Sequence, residues 1–238
     1  MIAVTGSLAL WYFTRGSGAV SLVLLTASYA LGTPTLLSWG DVRFPRLVIQ
    51  LLHRNVSLLV VVFVGLHVAT TVIDGFAPIG WLDAVIPFRA GYRPIWLGLG
   101  AVAVDLLLAV IVTSLLRVRI GYARWHYVHL LTYVMWPIAL VHALGTGSDV
   151  RSAWMWWVAG LCSVVAIAST AVRLIARSPE DDRIRLGALA ALVVVPIVLA
   201  GWFTVGPLKP GWGKTHKAAA AATDGTDPSG DPTGTTQP

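Results

Sequence analysis

The chain has 238 residues, of which 56% are hydrophobic and only 12% charged, with a mean hydropathy of +0.75. Soluble domains carry about 25% charged residues, so the composition argues against a water-soluble protein and for an integral membrane one. The net charge of +6 comes mainly from arginines beside apolar runs, without the clustered basic face and stacking aromatics that nucleic-acid binding needs.

Near the N-terminus the only basic residue is Arg15, and it follows WYF rather than preceding an apolar core. That order does not read as a cleaved signal peptide, so the chain is expected to be unprocessed. Six apolar runs then follow, at about residues 16–38, 47–73, 95–116, 126–144, 153–175 and 185–206. Each is near the length of about 20 residues that crosses a bilayer as a helix. None alternates with the dyad period of a membrane strand. The expected fold is therefore all-α, a six-helix transmembrane bundle filling residues 1–206. From residue 207 the composition turns to Gly, Pro, Thr, Asp and Ala, and residues 207–238, His216 included, are expected to be a disordered polar tail. Cys162 is the single cysteine and lies within an apolar run, so one chain holds no disulfide framework and no cysteine-based metal site.

Most of the 11 tryptophans sit at the ends of the runs, as Trp11, Trp39, Trp96, Trp125, Trp154 and Trp202 do. Interfacial anchoring explains them. Arginines concentrate in the connections after the first, third and fifth runs (Arg43, Arg46, Arg117, Arg119, Arg124, Arg173, Arg177, Arg183, Arg185). Fewer follow the second and fourth (Arg89, Arg93, Arg151). The richer side is expected to be cytoplasmic, with both termini outside, although Lys209, Lys214 and Lys217 in the tail count against it.

Two runs carry a histidine near each end, His53 and His67 in the second, His129 and His142 in the fourth. Ionisable groups are costly in a membrane and usually face the bundle interior with a function. The fourteen residues from His53 to His67 span about 21 Å of helix and return to within about 40° of the same face. The thirteen from His129 to His142 span about 20 Å but leave the two side chains about 140° apart on an ideal helix. Pro137 lies between them and is expected to bend or rewind that helix. Set side by side, the two helices bring one histidine pair to each side of the membrane. Each pair can supply both axial ligands of a haem. The alternative is that the four are buried polar residues bonding neighbouring helices. His126, one turn before His129, is a candidate for a propionate contact or for snorkelling to the interface.

With these residues in view, the chain resembles the ferric reductase-like transmembrane family, which includes the membrane parts of ferric reductases and NADPH oxidases and the haem subunits of methionine sulfoxide reductase systems. The resemblance covers about residues 11–175. It rests on TRGSGAVSLVLL, LLHRNVSLLVVVFVGLH, VTSLLRVRIGYARWHYVH and WPIALVHALGTGSD, on Trp125 four residues before His129, followed by Tyr133, and on the 14 and 13 spacings. It implies a dihaem cytochrome b-like bundle with two haem b groups. His53 and His129 would be the ligands of the inner haem, and His67 and His142 of the outer one. It also implies a place for Arg15 beside the outer propionates, where snorkelling to lipid headgroups is the bland alternative. Arg54 and Arg124 are weaker candidates near the inner haem, and Arg93 near the outer.

Relatives of the oxidase and reductase type continue into a flavin and nicotinamide domain, and here a sixth run and a tail follow instead. LGTGSD lacks the strand–turn–helix setting of a dinucleotide site and reads as a helix-end turn. Electrons would then come from a separate donor, a flavoprotein or a quinol, which makes a quinone the second candidate cofactor. They would pass to an extracytoplasmic acceptor such as ferric iron, an FMN-binding protein or a reductase subunit. Asp105 lies about 14 Å past Trp96 along the third run, where it serves either a neighbouring helix or proton uptake near a quinone. The arginine, alanine, valine and leucine bias suggests a bacterial cell membrane. The expected activity is transmembrane electron transfer by the haem subunit of an oxidoreductase. The rival is a transporter or scaffold whose histidines bind protons or a metal, for which inverted repeats and broken helices around a midplane site would be expected.

Overall fold

The computed structural model describes residues 8–36, 45–74, 79–146, 148–176 and 182–205. The tail expected from residue 207 lies outside the described residues. The chain forms helices α1 (Leu8–Leu36), α2 (Arg46–Ile73), α3 (Pro94–Leu115), α4 (Arg117–Ile120), α5 (Tyr122–His129), α6 (Thr132–Thr146), α7 (Ala153–Ala176) and α8 (Asp182–Val205). Single turns of 3₁₀ helix occupy Trp81–Ala84 and Ser148–Arg151. No strand occurs among the described residues.

Five segments are long and apolar enough to cross a membrane: Ala9–Pro34, Arg46–Ile73, Pro94–Leu115, Tyr122–Thr146 and Ala153–Ala176. The protein is thus a multi-pass membrane protein. The sixth expected span coincides with α8, whose apolar stretch Leu192–Trp202 is shorter than these five. The first helix begins at Leu8 rather than near residue 16, so Trp11, Tyr12 and Phe13 ride on its opening turns.

Helix α1 is central. It packs along α2 and against α6 and α7, while α3 packs on α6. The core is a seam of Leu22 on α1, Trp136, Leu140 and Leu144 on α6, and Met155, Ala159, Cys162 and Ala166 on α7. Small residues on α7 let its backbone come close, as in membrane bundles generally. Polar groups within the seam satisfy one another. The Trp136 indole donates to Thr26 Oγ1 at 2.9 Å, and the hydroxyls of Tyr29 and Thr170 lie 2.5 Å apart. Leu58, Leu59 and Val62 on α2 are exposed, which suits a lipid-facing surface.

The fourth run is interrupted at Leu130–Leu131, between α5 and α6. There the backbone switches to i→i+3 bonds: the amides of Leu131, Tyr133 and Val134 donate to the carbonyls of Val128, Leu130 and Leu131, all at 3.0 Å. Such turns wind about 120° per residue rather than about 100°. The overwinding acts in the direction that closes the phase gap between His129 and His142. Pro137 lies inside α6 and is not where the helix breaks.

Candidate functional site

The two histidine-bearing elements face each other. His53 and His129 have ring centroids 6.3 Å apart with planes at 73°, and His67 and His142 are 6.4 Å apart at 77°. The structure therefore brings the four together as the two pairs expected, one toward each end of the bundle. No extended packing joins α2 to α6.

The hydrogen bonds of these rings decide which nitrogen is available. His53 Nδ1 lies 3.0 Å from the Ser28 carbonyl, His67 Nδ1 2.9 Å from that of Thr14, and His142 Nδ1 2.8 Å from that of Trp96. A carbonyl only accepts, so in each ring Nδ1 carries the proton and Nε2 keeps its lone pair. This is the usual tautomer of a metal-ligating histidine with an outer partner. His129 differs, because its Nδ1 is buried and finds no partner among the described residues. Its ring is stacked instead on Trp125, 4.9 Å away at 28°.

The centroid distances test the fit of a metal directly. An imidazole nitrogen sits about 2 Å from a bound metal and about 1.1 Å from its own ring centroid, so two imidazoles on opposite sides of one ion have centroids about 6.3 Å apart. Both pairs match. Donor type agrees too, since bis-imidazole ligation is a standard mode for haem iron.

A second pattern was missed in the sequence although it is legible there. Each histidine carbonyl accepts from a hydroxyl one turn on: Ser57 to His53 at 2.7 Å, Thr71 to His67 at 2.6 Å, Thr132 to His129 at 2.8 Å, and Thr146 to His142 at 2.6 Å. The same back-bond recurs away from the histidines, as from Ser163 to Ala159 at 2.7 Å, and satisfies hydroxyls inside membrane helices. The signal was a Ser or Thr three or four residues after every one of the four histidines.

Arg15 forms an ion pair with Asp149, Nε and Nη2 each meeting a carboxylate oxygen, and its guanidinium lies 3.8 Å over the Trp11 ring. The pair, with Tyr12, Gly16 and Trp154, lines a surface cavity of about 440 Å³. Arg93 is only 6% exposed. It holds the end of α6 through Nη1 bonds to the carbonyls of Gly145 at 3.1 Å and Thr146 at 3.0 Å, which places a cation at that helix C-terminus. Its Nε is buried without a partner among the described residues, as is Oδ1 of Asp74. Arg54 and Arg124 are exposed. His126 stacks on Tyr122 at 5.7 Å and belongs to neither pair. Asp105 is half-buried on α3. In LGTGSD, α6 runs to Thr146 and the 3₁₀ turn starts at Ser148, so the stretch is a helix end, as its sequence suggests.

Residues 17–140 match the family described as ferric reductase like transmembrane component. No curated protein and no solved structure matches the chain.

Proposed function

Because the chain belongs to the ferric reductase-like transmembrane family, we propose that it carries electrons across a membrane through two b-type haems, one held by His53 and His129, the other by His67 and His142. The observation that carries this reading is the spacing of the two ring pairs, 6.3 Å and 6.4 Å, which would suit one metal ion held by each pair of imidazoles. Bound haem supplies one-electron chemistry between ferric and ferrous iron.

The protein's part is to orient and insulate. Backbone carbonyls of α1 and α3 fix three imidazoles with Nε2 free. Val60 lies seven residues from each histidine of α2 and is 2% exposed, which puts a buried apolar side chain midway between the two levels. Neutral imidazoles avoid burying a charge in the bilayer.

Several finer features belong to the same proposal. The His53/His129 level faces the cytoplasm and the His67/His142 level faces out, with both termini outside. Helix α8 completes a six-helix bundle. The donor is a separate flavoprotein or a quinol, and the acceptor is extracytoplasmic. Arg15 neutralises negative charge beside the outer haem.

Haem stoichiometry tests the assignment. Protein from haem-replete cells is expected to bind two haem b per chain. His67→Ala or His142→Ala should remove the outer haem and spare the inner, and His53→Ala or His129→Ala the converse. Unchanged haem content in all four variants, or a colourless wild-type protein, overturns it.

A further inference from the structure

Three of the four imidazoles donate Nδ1–H to a carbonyl that belongs to a neighbouring helix, and each carbonyl stands four residues before a glycine. Thr14 precedes Gly18, Ser28 precedes Gly32, and Trp96 precedes Gly100. In an α-helix the carbonyl of residue i points at the amide of residue i+4, and the side chain of i+4 stands beside it. A glycine there opens the carbonyl's second lone pair to an approaching donor. The approach is close at two of the three. A Cβ on Gly100 would lie 2.5 Å from His142 Cε1 and 2.6 Å from Nδ1, and one on Gly18 would lie 2.9 Å and 3.0 Å from the same atoms of His67. A Cβ on Gly32 would lie 3.9 Å from His53 Cε1, an ordinary contact.

The register of α1 against α2 repeats this arrangement. Thr14 and Ser28 are fourteen residues apart, Gly18 and Gly32 are fourteen apart, and so are His53 and His67. Fourteen residues fall about 40° short of four helical turns. Two antiparallel helices with that common repeat bring a carbonyl of α1 to an imidazole of α2 at both levels, with the closer approach at Gly18.

Resting on the haem reading above, we infer that Gly18 and Gly100 are positioning residues for the outer haem. They act through His67 and His142, by leaving the space in which each imidazole reaches its carbonyl. A carbonyl on Nδ1–H fixes the ring's tautomer and rotation and makes Nε2 a stronger donor. Stronger donation favours ferric over ferrous iron, so losing the bond raises the reduction potential. The glycines are therefore tuning elements as well as spacers. Alanine is the better helix former, so a substitution that met no obstruction would leave haem binding alone.

The test uses the full-length chain in detergent with four variants: Gly18→Ala, Gly100→Ala, Gly32→Ala and, as a control on α7 whose Cβ would meet nothing within 4 Å, Gly160→Ala. Haem per chain, redox titration and the low-spin ferric EPR signals are read for each. Gly100→Ala is expected to weaken the outer haem by about 10–100-fold, the usual cost of losing an outer-shell partner, with any retained outer haem at a higher potential and a changed EPR signal. Gly18→Ala should act in the same direction and less strongly, and it decides the matter if Gly100→Ala does not fold. Gly32→Ala and Gly160→Ala should match wild type. Wild-type content, potentials and EPR in both Gly18→Ala and Gly100→Ala overturn the inference while leaving the haem assignment intact. So does an equal change in Gly160→Ala. A wild-type chain without haem overturns the reading on which it rests.

Discussion

Arg15 was expected beside a haem propionate, and the structure gives it a carboxylate of the chain's own, Asp149, 134 positions away in sequence. Breaking that pair measures what it contributes. Two guanidinium N–H groups meet the two carboxylate oxygens, the bidentate form that is stronger than a single contact. The side chains are 21% and 17% exposed, so the pair lies between the surface regime of about 0.2–1 kcal/mol and the about 1.5–3 kcal/mol of a buried charged hydrogen bond. A coupling energy of about 1–2 kcal/mol follows. Arg15 also lies over Trp11. Arg15→Gln should therefore cost about 0.5–1 kcal/mol more than Asp149→Asn, which leaves the cation–π contact in place. The assay is a double-mutant cycle with Arg15→Gln, Asp149→Asn and the double variant, unfolded in mixed micelles and followed by tryptophan fluorescence at low and high salt. The coupling should shrink with salt, because the pair is partly wet. A coupling below about 0.3 kcal/mol, within ordinary additivity, refutes the ion pair. Loss of outer haem in Arg15→Gln but not in Asp149→Asn would instead place Arg15's main partner at a propionate.

Three further outcomes are expected. Trp136 is 7% exposed in the core seam, so Trp136→Ala should cost about 3–5 kcal/mol of stability, while Trp136→Phe, which loses the bond to Thr26 and part of the ring volume but keeps a phenyl in the seam, should cost about 1–2 kcal/mol; equal costs would mean the seam is not packed around that indole. Arg93→Met should cost about 2–3 kcal/mol through two lost bonds to the end of α6. Arg93→Lys should restore part of this, since both bonds leave the single Nη1 and an ammonium also carries several donors on one nitrogen, and no recovery at all in thermal unfolding would contradict the capping role. Trp125→Ala should lower occupancy of the inner haem alone, by about tenfold, and Trp125→Phe should retain most of it; haem content resolved by EPR checks both.

The spans were legible in the sequence because lipid selects long apolar runs whatever the tertiary packing. The histidine pairs were legible because fourteen residues nearly close four turns on α2. Their partners across the bundle could be inferred only from depth. The phase of His142 against His129 was not derivable, because it depends on a local switch of backbone bonding at Leu130–Leu131 that no side chain there announces. Pro137 drew attention to the wrong turn. The ion pair of Arg15 was hidden for another reason. Asp149 reads as a residue of a helix-end turn, and only the folding of the connection between α6 and α7 back to α1 brings it near. Helix α1 was cut short in the sequence because Thr14, Arg15 and the aromatics before them interrupt the apolar run, yet those residues supply the Thr14 carbonyl that holds His67. Gly18, Gly32 and Gly100 drew no attention, since glycine is frequent in membrane helices for packing alone.

The exception among the four histidines follows the same register. On α3, fourteen residues beyond Trp96 and Gly100 stand Val110 and Ser114. Ser114 is exposed, and the carbonyl of Val110 accepts from Thr113 at 3.2 Å. Ser114 in turn accepts from the Trp125 indole at 3.1 Å, and Trp125 lies flat against His129. An aromatic brace thus stands where the other three rings have a backbone acceptor. The brace limits the tilt of the ring but leaves Nδ1 without the bond that would strengthen Nε2 as a donor. The two levels are therefore unequal by construction, with both imidazoles hydrogen-bonded at the His67/His142 level and only His53 at the other.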